Sequence, residues 1–317
     1  MTTSILRTLD DHGRSRWWVR TGSGAHPIET DAVTTGELLA DRPAITSAAR
    51  SAAVVDLDEL DLVSPVTAPC RVVAQMTNYR SHIRDAGMNP DTVPLTFFRK
   101  TSGSISGPYD DVVRPEHVRF LDYEVEIGVV IGRALPVGTA VSEGNLADYV
   151  AGLVITNDIS ARDLQLPKTQ FYEAKSYPTF TPTGPELVLV DADEWRAFDD
   201  LRLVLSVNGK TRQDALVRGD MVFSPLEAIQ ALTRFQHLDA GDLLLTGTPA
   251  GTALSAPPKV VELIGGLLPP HLRWAAFFRR QQANPDFLQD GDVVELTVAT
   301  ADGLLDLGLQ RTTVRYA

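Results

Sequence analysis

A single cysteine, Cys70, excludes an intrachain disulfide and suits a reducing compartment. Basic residues are also scarce. The 29 Lys and Arg stand against 41 Asp and Glu, a formal charge of −12 that argues against nucleic acid or an anionic membrane as the main partner. No apolar run is long enough to cross a bilayer, and Met1 to Arg7 lack the apolar core of a signal peptide. A soluble, cytoplasmic protein is expected. The GxGxxG, P-loop, GxSxG, HExxH and CxxC patterns are missing, which sets aside nucleotide-binding, serine-hydrolase and zincin chemistry. What is present is an ordinary globular composition, 44% hydrophobic and 22% charged, over a length that can bury a large core.

The most informative stretch runs from Phe120 to Ile131, apolar at both ends and strand-like in residue type. Alternation along a strand sets Asp122, Glu124 and Glu126 on one face. Such neighbours, roughly 7 Å apart, would repel by about 2 kcal/mol at an effective dielectric near 20. An edge strand with a wetted polar face is the plain alternative, but the run continues through Val129, Val130 and Ile131, which points to burial on both faces. A further carboxylate, Asp158, ends a second apolar strand beginning at Leu153. Neither strand holds His or Cys, so an all-oxygen site for a hard cation is implied, Mg²⁺ first, with Mn²⁺ or Ca²⁺ behind it.

Residues 1–63 read as a small N-terminal domain, 64–69 as a proline-containing linker, and 70–317 as the main domain with an insertion at about 255–285. A helix beginning near Tyr79 would set His82 and Asp85 on one face, where a carboxylate can raise the basicity of the histidine and fix its tautomer. By type alone, such a pair is usually a surface contact, and Gln165 and Lys175 are ordinary surface residues. Asn208-Gly209 marks a tight hairpin, and Ser224-Pro225-Leu226-Glu227 a capped helix start whose apolar face runs through Ala228, Ile229, Leu232 and Phe235. The insertion carries a predicted helix, Leu272 to Arg280, suited to a peripheral decoration, a subunit contact or a wall of the site.

The order and spacing of several short pieces resemble the fumarylacetoacetate hydrolase family over about residues 70–312. These are Asn78-Tyr79-x-x-His82, Asp122-Tyr123-Glu124-x-Glu126, Asn157-Asp158-x-x-x-Arg162-Asp163-x-Gln165, Gly184-Pro185, Val207-Asn208-Gly209 and Gly241-Asp242-x-x-x-Thr246-Gly247-Thr248-Pro249. The resemblance implies a β-rich α+β fold, a mixed β-sandwich roll, and a homodimer. It implies that Glu124, Glu126 and Asp158 bind a divalent cation, usually Mg²⁺, and that His82 is the general base, with Asp85 where the family commonly has Glu. It also implies that Lys175 and Gln165 hold substrate oxygens, that Thr248 lines the pocket, and that Tyr79 and Arg80, beside the histidine, belong to the substrate-binding set.

The activity so implied is metal-dependent C–C hydrolysis of a small anionic acylpyruvate-like or 1,3-dicarbonyl acid. On the same site, decarboxylation of a β-keto acid, enol–keto isomerisation or hydration of a dienoate are alternatives. A metal- or ligand-binding protein without catalysis is the reading from a different class.

Overall fold

The computed structural model describes residues 2–22, 24–168, 171–254 and 269–317. Two β-sheets form the frame. The larger has nine strands in the order Gly24–Pro27, Ser15–Thr21, Thr3–Leu9, Leu187–Leu189, Val150–Asn157, Val125–Ile131, Leu243–Leu245, Val72–Gln75 and Phe97–Lys100. Its pairs are antiparallel except Leu243–Leu245 with Val72–Gln75, which makes the sheet mixed. The smaller has five strands, Lys210–Leu216, Arg202–Val207, Val293–Ala299, Asp306–Tyr316 and Val112–Arg114.

The sequence patterns explain which faces meet. Arg202–Val207 alternates outward and inward residues, as a strand covered on one side should, and buries Leu203, Leu205 and Val207. Those side chains share one core with Val129, Leu153 and Ile155 of the larger sheet. Val125–Ile131 and Val150–Asn157 are buried at every position, since the larger sheet is covered on its second face too. There Leu38, Leu39 and Ile45, from helices Thr35–Ala40 and Arg42–Ala48, pack with Val130, Val154 and Leu243. The result is the expected strand-rich α+β sandwich.

Residues 1–63 supply three strands of the nine-stranded sheet, joined to it where Ile5 pairs with Leu187. The proline-containing connection that follows is packed as well. Ser64 to Thr67 are buried, and Thr35 and Thr67 exchange backbone-to-hydroxyl bonds of 2.9 Å in each direction. Gly152 is held by crowding, because a Cβ there would meet the Val188 carbonyl oxygen at 2.2 Å.

Local signals are met in detail. Asn208 and Gly209 both take positive φ at their hairpin, and Ser224 and Glu227 form a reciprocal capping box on helix Pro225–Leu232. Phe235 is a correction: it lies beyond the end of that helix and is exposed, not part of its apolar face. Of the insertion, helix Pro270–Gln281 is described, whereas 255–268 lie outside the described residues. Among the described residues no helix is long and apolar enough to cross a membrane.

Candidate active site

The strand predicted from Phe120 to Ile131 is broken. Leu121–Asp122 pairs with Ser160–Ala161, the chain leaves the strand at Tyr123 and Glu124, and regular pairing resumes at Val125. The break separates the three acids that simple alternation had set on one face. Asp122 has a structural role instead. It accepts from the backbone N–H groups of Ala253 and Leu254 at 2.7 and 3.1 Å and from Arg162 Nε at 2.7 Å. Glu124 and Glu126 meet Asp158, which follows Val150–Asn157 on the neighbouring strand, and one oxygen of each lies within 4.8 Å of the others. All three are buried.

Burial of so many acids requires cations, and three surround them. Arg162 Nη2 donates to Glu124 at 2.6 Å, Lys175 Nζ bridges Glu124 at 2.8 Å and Asp158 at 2.6 Å, and Lys100 Nζ is bonded to the other Asp158 oxygen. Lys100 also donates to the Phe180 carbonyl at 2.8 Å. Desolvation pushes the Glu124 carboxyl up, but the charges of Lys175 and Arg162 outweigh it and hold the pKa down at about 2. Glu126 is different. Its Oε2 accepts from the Gly247 N–H at 2.8 Å, and no Lys or Arg reaches it among the described residues. Burial, then the charges of Asp158 and Glu124, push its pKa well above the usual carboxylate range. A buried carboxylate lacking a countercharge, beside two more acids, fits a divalent cation with oxygen ligands. The residues present therefore suit the ion that the sequence suggested, with Lys175 already holding two of the three carboxylates together.

His82 lies on helix Arg80–Asp85 and lines the same cavity. Desolvation is the main reason its pKa is lowered, so the ring is neutral near pH 7. The expected pairing with Asp85 is not made: His82 Nδ1 is buried without a partner, and Asp85, although it lines the cavity, is exposed to water. Three-residue helical spacing brings the two side chains onto one face, but an exposed carboxylate gains more from solvent than from a desolvated ring.

Gln165 and Lys175, ordinary by type, are both buried in the cavity wall. Arg162 Nη1 donates to Gln165 Oε1 at 2.7 Å, which leaves the amide N–H₂ to serve as donor. Thr248 lines the cavity, but its hydroxyl is tied into the frame: it donates to the Val125 carbonyl at 2.9 Å and accepts from Gln213 at 2.8 Å. Tyr79 and Arg80, expected in the substrate-binding set, lie outside the cavity lining. Tyr79 is fully buried as the residue preceding the helix, and Arg80 pairs with Asp91 at 2.8 Å. Sequence reasoning missed Arg162 and Lys100 as parts of the site. Arg162 stood inside a matching motif; Lys100 ends the half-buried strand Phe97–Lys100, directly after the exposed Arg99, and no local signal marked it.

The cavity holds about 1000 Å³. Glu124 and Glu126 form its inner end with Asp158 buried behind them, Phe98, Leu166 and Phe171 contribute apolar wall, and helix Pro270–Gln281 contributes Arg273, Phe277 and Arg280.

The profile of the family described as "Fumarylacetoacetate (FAA) hydrolase C-terminal" matches residues 71–315. The oxaloacetate tautomerase FAHD2A, mitochondrial, of Bos taurus is 35% identical over 211 residues, 65% of this chain and 64% of the relative. The chain thus spans just under two thirds of that relative's length. The oxaloacetate tautomerase YisK of Bacillus subtilis (strain 168) is 37% identical over 211 residues, 65% of this chain and 68% of YisK. Among solved structures, a protein described as a "probable 2-hydroxyhepta-2,4-diene-1,7-dioate isomerase" from Mycobacterium abscessus matches with a TM-score of 0.73 and 30% identity, covering 100% of this chain and 99% of the other.

Proposed function

The chain belongs to the fumarylacetoacetate hydrolase family, an enzyme superfamily, and on that footing we propose that it isomerises a small anionic 2-oxo acid between keto and enol forms at a divalent-cation site. The observation that carries this reading is a neutral, desolvated His82 sharing a cavity with Glu124 and Glu126 of a buried three-carboxylate cluster while lacking its expected carboxylate partner. Isomerisation needs one base that takes a proton from carbon and returns it to oxygen. Hydrolytic C–C cleavage needs, in addition, a water activated by an oriented imidazole, and Asp85 does not supply that orientation. The tautomerase names of the bovine and Bacillus relatives support the same choice.

Glu124, Glu126 and Asp158 would hold the ion, with Mg²⁺ preferred and Mn²⁺ or Ca²⁺ able to take its place. When bound, the ion supplies positive charge that polarises the 2-oxo oxygen. The protein's own groups do the rest. His82, unprotonated near pH 7, takes a proton from C3 of the keto form; the C3–H bond breaks, and the proton is delivered to the 2-oxygen as the enol forms. Lys175, kept protonated because Asp158 and Glu124 outweigh its desolvation, and the amide N–H₂ of Gln165 hold the C1 carboxylate. Lys100 and Arg162 secure Asp158, Glu124 and Gln165 from behind.

The test is the decay of the enol absorbance of oxaloacetate with Mg²⁺-loaded protein, run with deuterium exchange at C3. Enzyme-accelerated exchange without loss of carbon is the expected result. Incorporation of ¹⁸O from labelled water into a cleaved carboxylate would restore C–C hydrolysis, and CO₂ release would assign decarboxylation.

A further inference from the structure

The cavity is larger and differently charged at its mouth than a four-carbon keto acid requires. At about 1000 Å³ it lies at the upper end of what small-molecule sites enclose. Helix Pro270–Gln281 closes one side of it. Phe278 secures that helix, buried and stacked on Phe120 at 5.6 Å, and Asn284 just beyond the helix donates to the Ala253 carbonyl at 2.9 Å. Arg273, Phe277 and Arg280, spaced i, i+4, i+7, share another face, and all three line the cavity.

The charge there runs against that of the molecule. From Leu263 to Pro285 the sequence contains three arginines and no acid, in a chain of net charge −12. Arg273 and Arg280 are exposed at the cavity mouth and pair with no described carboxylate. The inner cations are all engaged: Arg162 by Asp122 and Glu124, Lys100 by Asp158, and Lys175 by Glu124 and Asp158. Of the other charged groups at the mouth, Lys168 is paired with Glu173, and Asp85 is a single acid. Between the two ends the wall is apolar, with Phe98, Leu166, Phe171 and Phe277.

A polar inner end, an apolar middle and a cationic mouth describe an elongated ligand anionic at both ends. We infer that Arg273 and Arg280 are specificity-determining residues that receive the distal carboxylate of an extended 2-oxo diacid, its chain crossing the apolar middle. This assignment rests on the preceding reading that a 2-oxo acid occupies the inner end. Guanidinium groups suit the role because they present paired donors to a carboxylate and keep their charge at any working pH.

Calorimetry on Mg²⁺-loaded protein separates this assignment from the reaction. The probes are 2-oxoheptanedioate and 2-oxoheptanoate, which differ by the distal carboxylate. A charged hydrogen bond contributes about 1.5–3 kcal/mol, so wild type is expected to bind the diacid about 10- to 100-fold more tightly. R273Q/R280Q should bring the two affinities together by weakening diacid binding alone, whereas R273K/R280K should keep part of the preference. Raising the salt concentration should shrink the preference in wild type, a measurement that needs no variant. Equal affinities in wild type, a preference that survives R273Q/R280Q or is indifferent to salt, or equal weakening of both ligands, would overturn the assignment. Retained preference without isomerase activity would remove the reaction and leave the carboxylate site; activity without preference would remove the site alone.

Discussion

At the scale of single residues, the site turns on two side chains left without ordinary partners. His82 is desolvated, neutral and unbonded at Nδ1. Removing it should lower isomerase turnover by about 10²- to 10⁴-fold, the usual contribution of a positioned base, with Mg²⁺ binding intact. Steady-state kinetics beside a metal titration would check both halves. Asp85→Ala should cost far less, since no bond joins it to the ring. Glu126 is the carboxylate that no Lys or Arg bonds among the described residues. Glu126→Gln keeps its shape and removes the repulsion from Asp158 and Glu124. The metal-free variant should therefore melt no lower than wild type while losing Mg²⁺ affinity by more than roughly 100-fold, beyond the cost of disturbing an outer partner of a ligand. A variant that binds Mg²⁺ like wild type would show that the cluster is not a metal site.

At the scale of elements, the break after Asp122 is what makes the site. Asp122 ties Arg162 to the segment Ala253–Leu254, and Arg162 in turn reaches Glu124 and Gln165. One buried carboxylate thus joins three segments. Asp122→Ala should destabilise the protein by about 3 kcal/mol or more in chemical denaturation, because Arg162 loses a buried partner. Larger loss of activity than of stability would follow from the displaced Gln165. Gly152 tests the sheet in the same way: any side chain there drives into the Val188 carbonyl, so Gly152→Val should lower the melting temperature whether or not metal is bound.

At the scale of the whole molecule, a divalent ion at the proposed site would link metal binding to protons and stability. The Glu126 pKa is raised in the metal-free fold above its unfolded value. Its contribution to stability is therefore full below the unfolded value and declines as pH rises toward the folded one. Glu124 has the opposite sign: with its pKa held at about 2, its contribution is full at higher pH and lost only in strong acid. As pH rises the Glu126 penalty grows, and a divalent ion bound there would relieve it. Mg²⁺ should accordingly raise the melting temperature more at pH 8 than at pH 5.5 and release protons on binding at the lower pH. A pH-independent shift in thermal melts would contradict the linkage.

The sequence by itself determined the class of fold and the family. Period-two burial, the Asn208-Gly209 hairpin and the Ser224 capping box depend on nearest neighbours, so they were legible in order along the chain. The acids Glu124, Glu126 and Asp158 stood out because charge inside apolar runs is costly wherever the chain goes. Only the tertiary structure decided which cations answer those charges, since Lys100, Arg162 and Lys175 reach them from separate segments. Tertiary placement also left Asp85 in water, buried Tyr79 and brought Arg273 and Arg280 to the cavity mouth. Desolvation is the physical reason: it depends on what covers a residue from other parts of the chain, and spacing along the sequence carries no record of that.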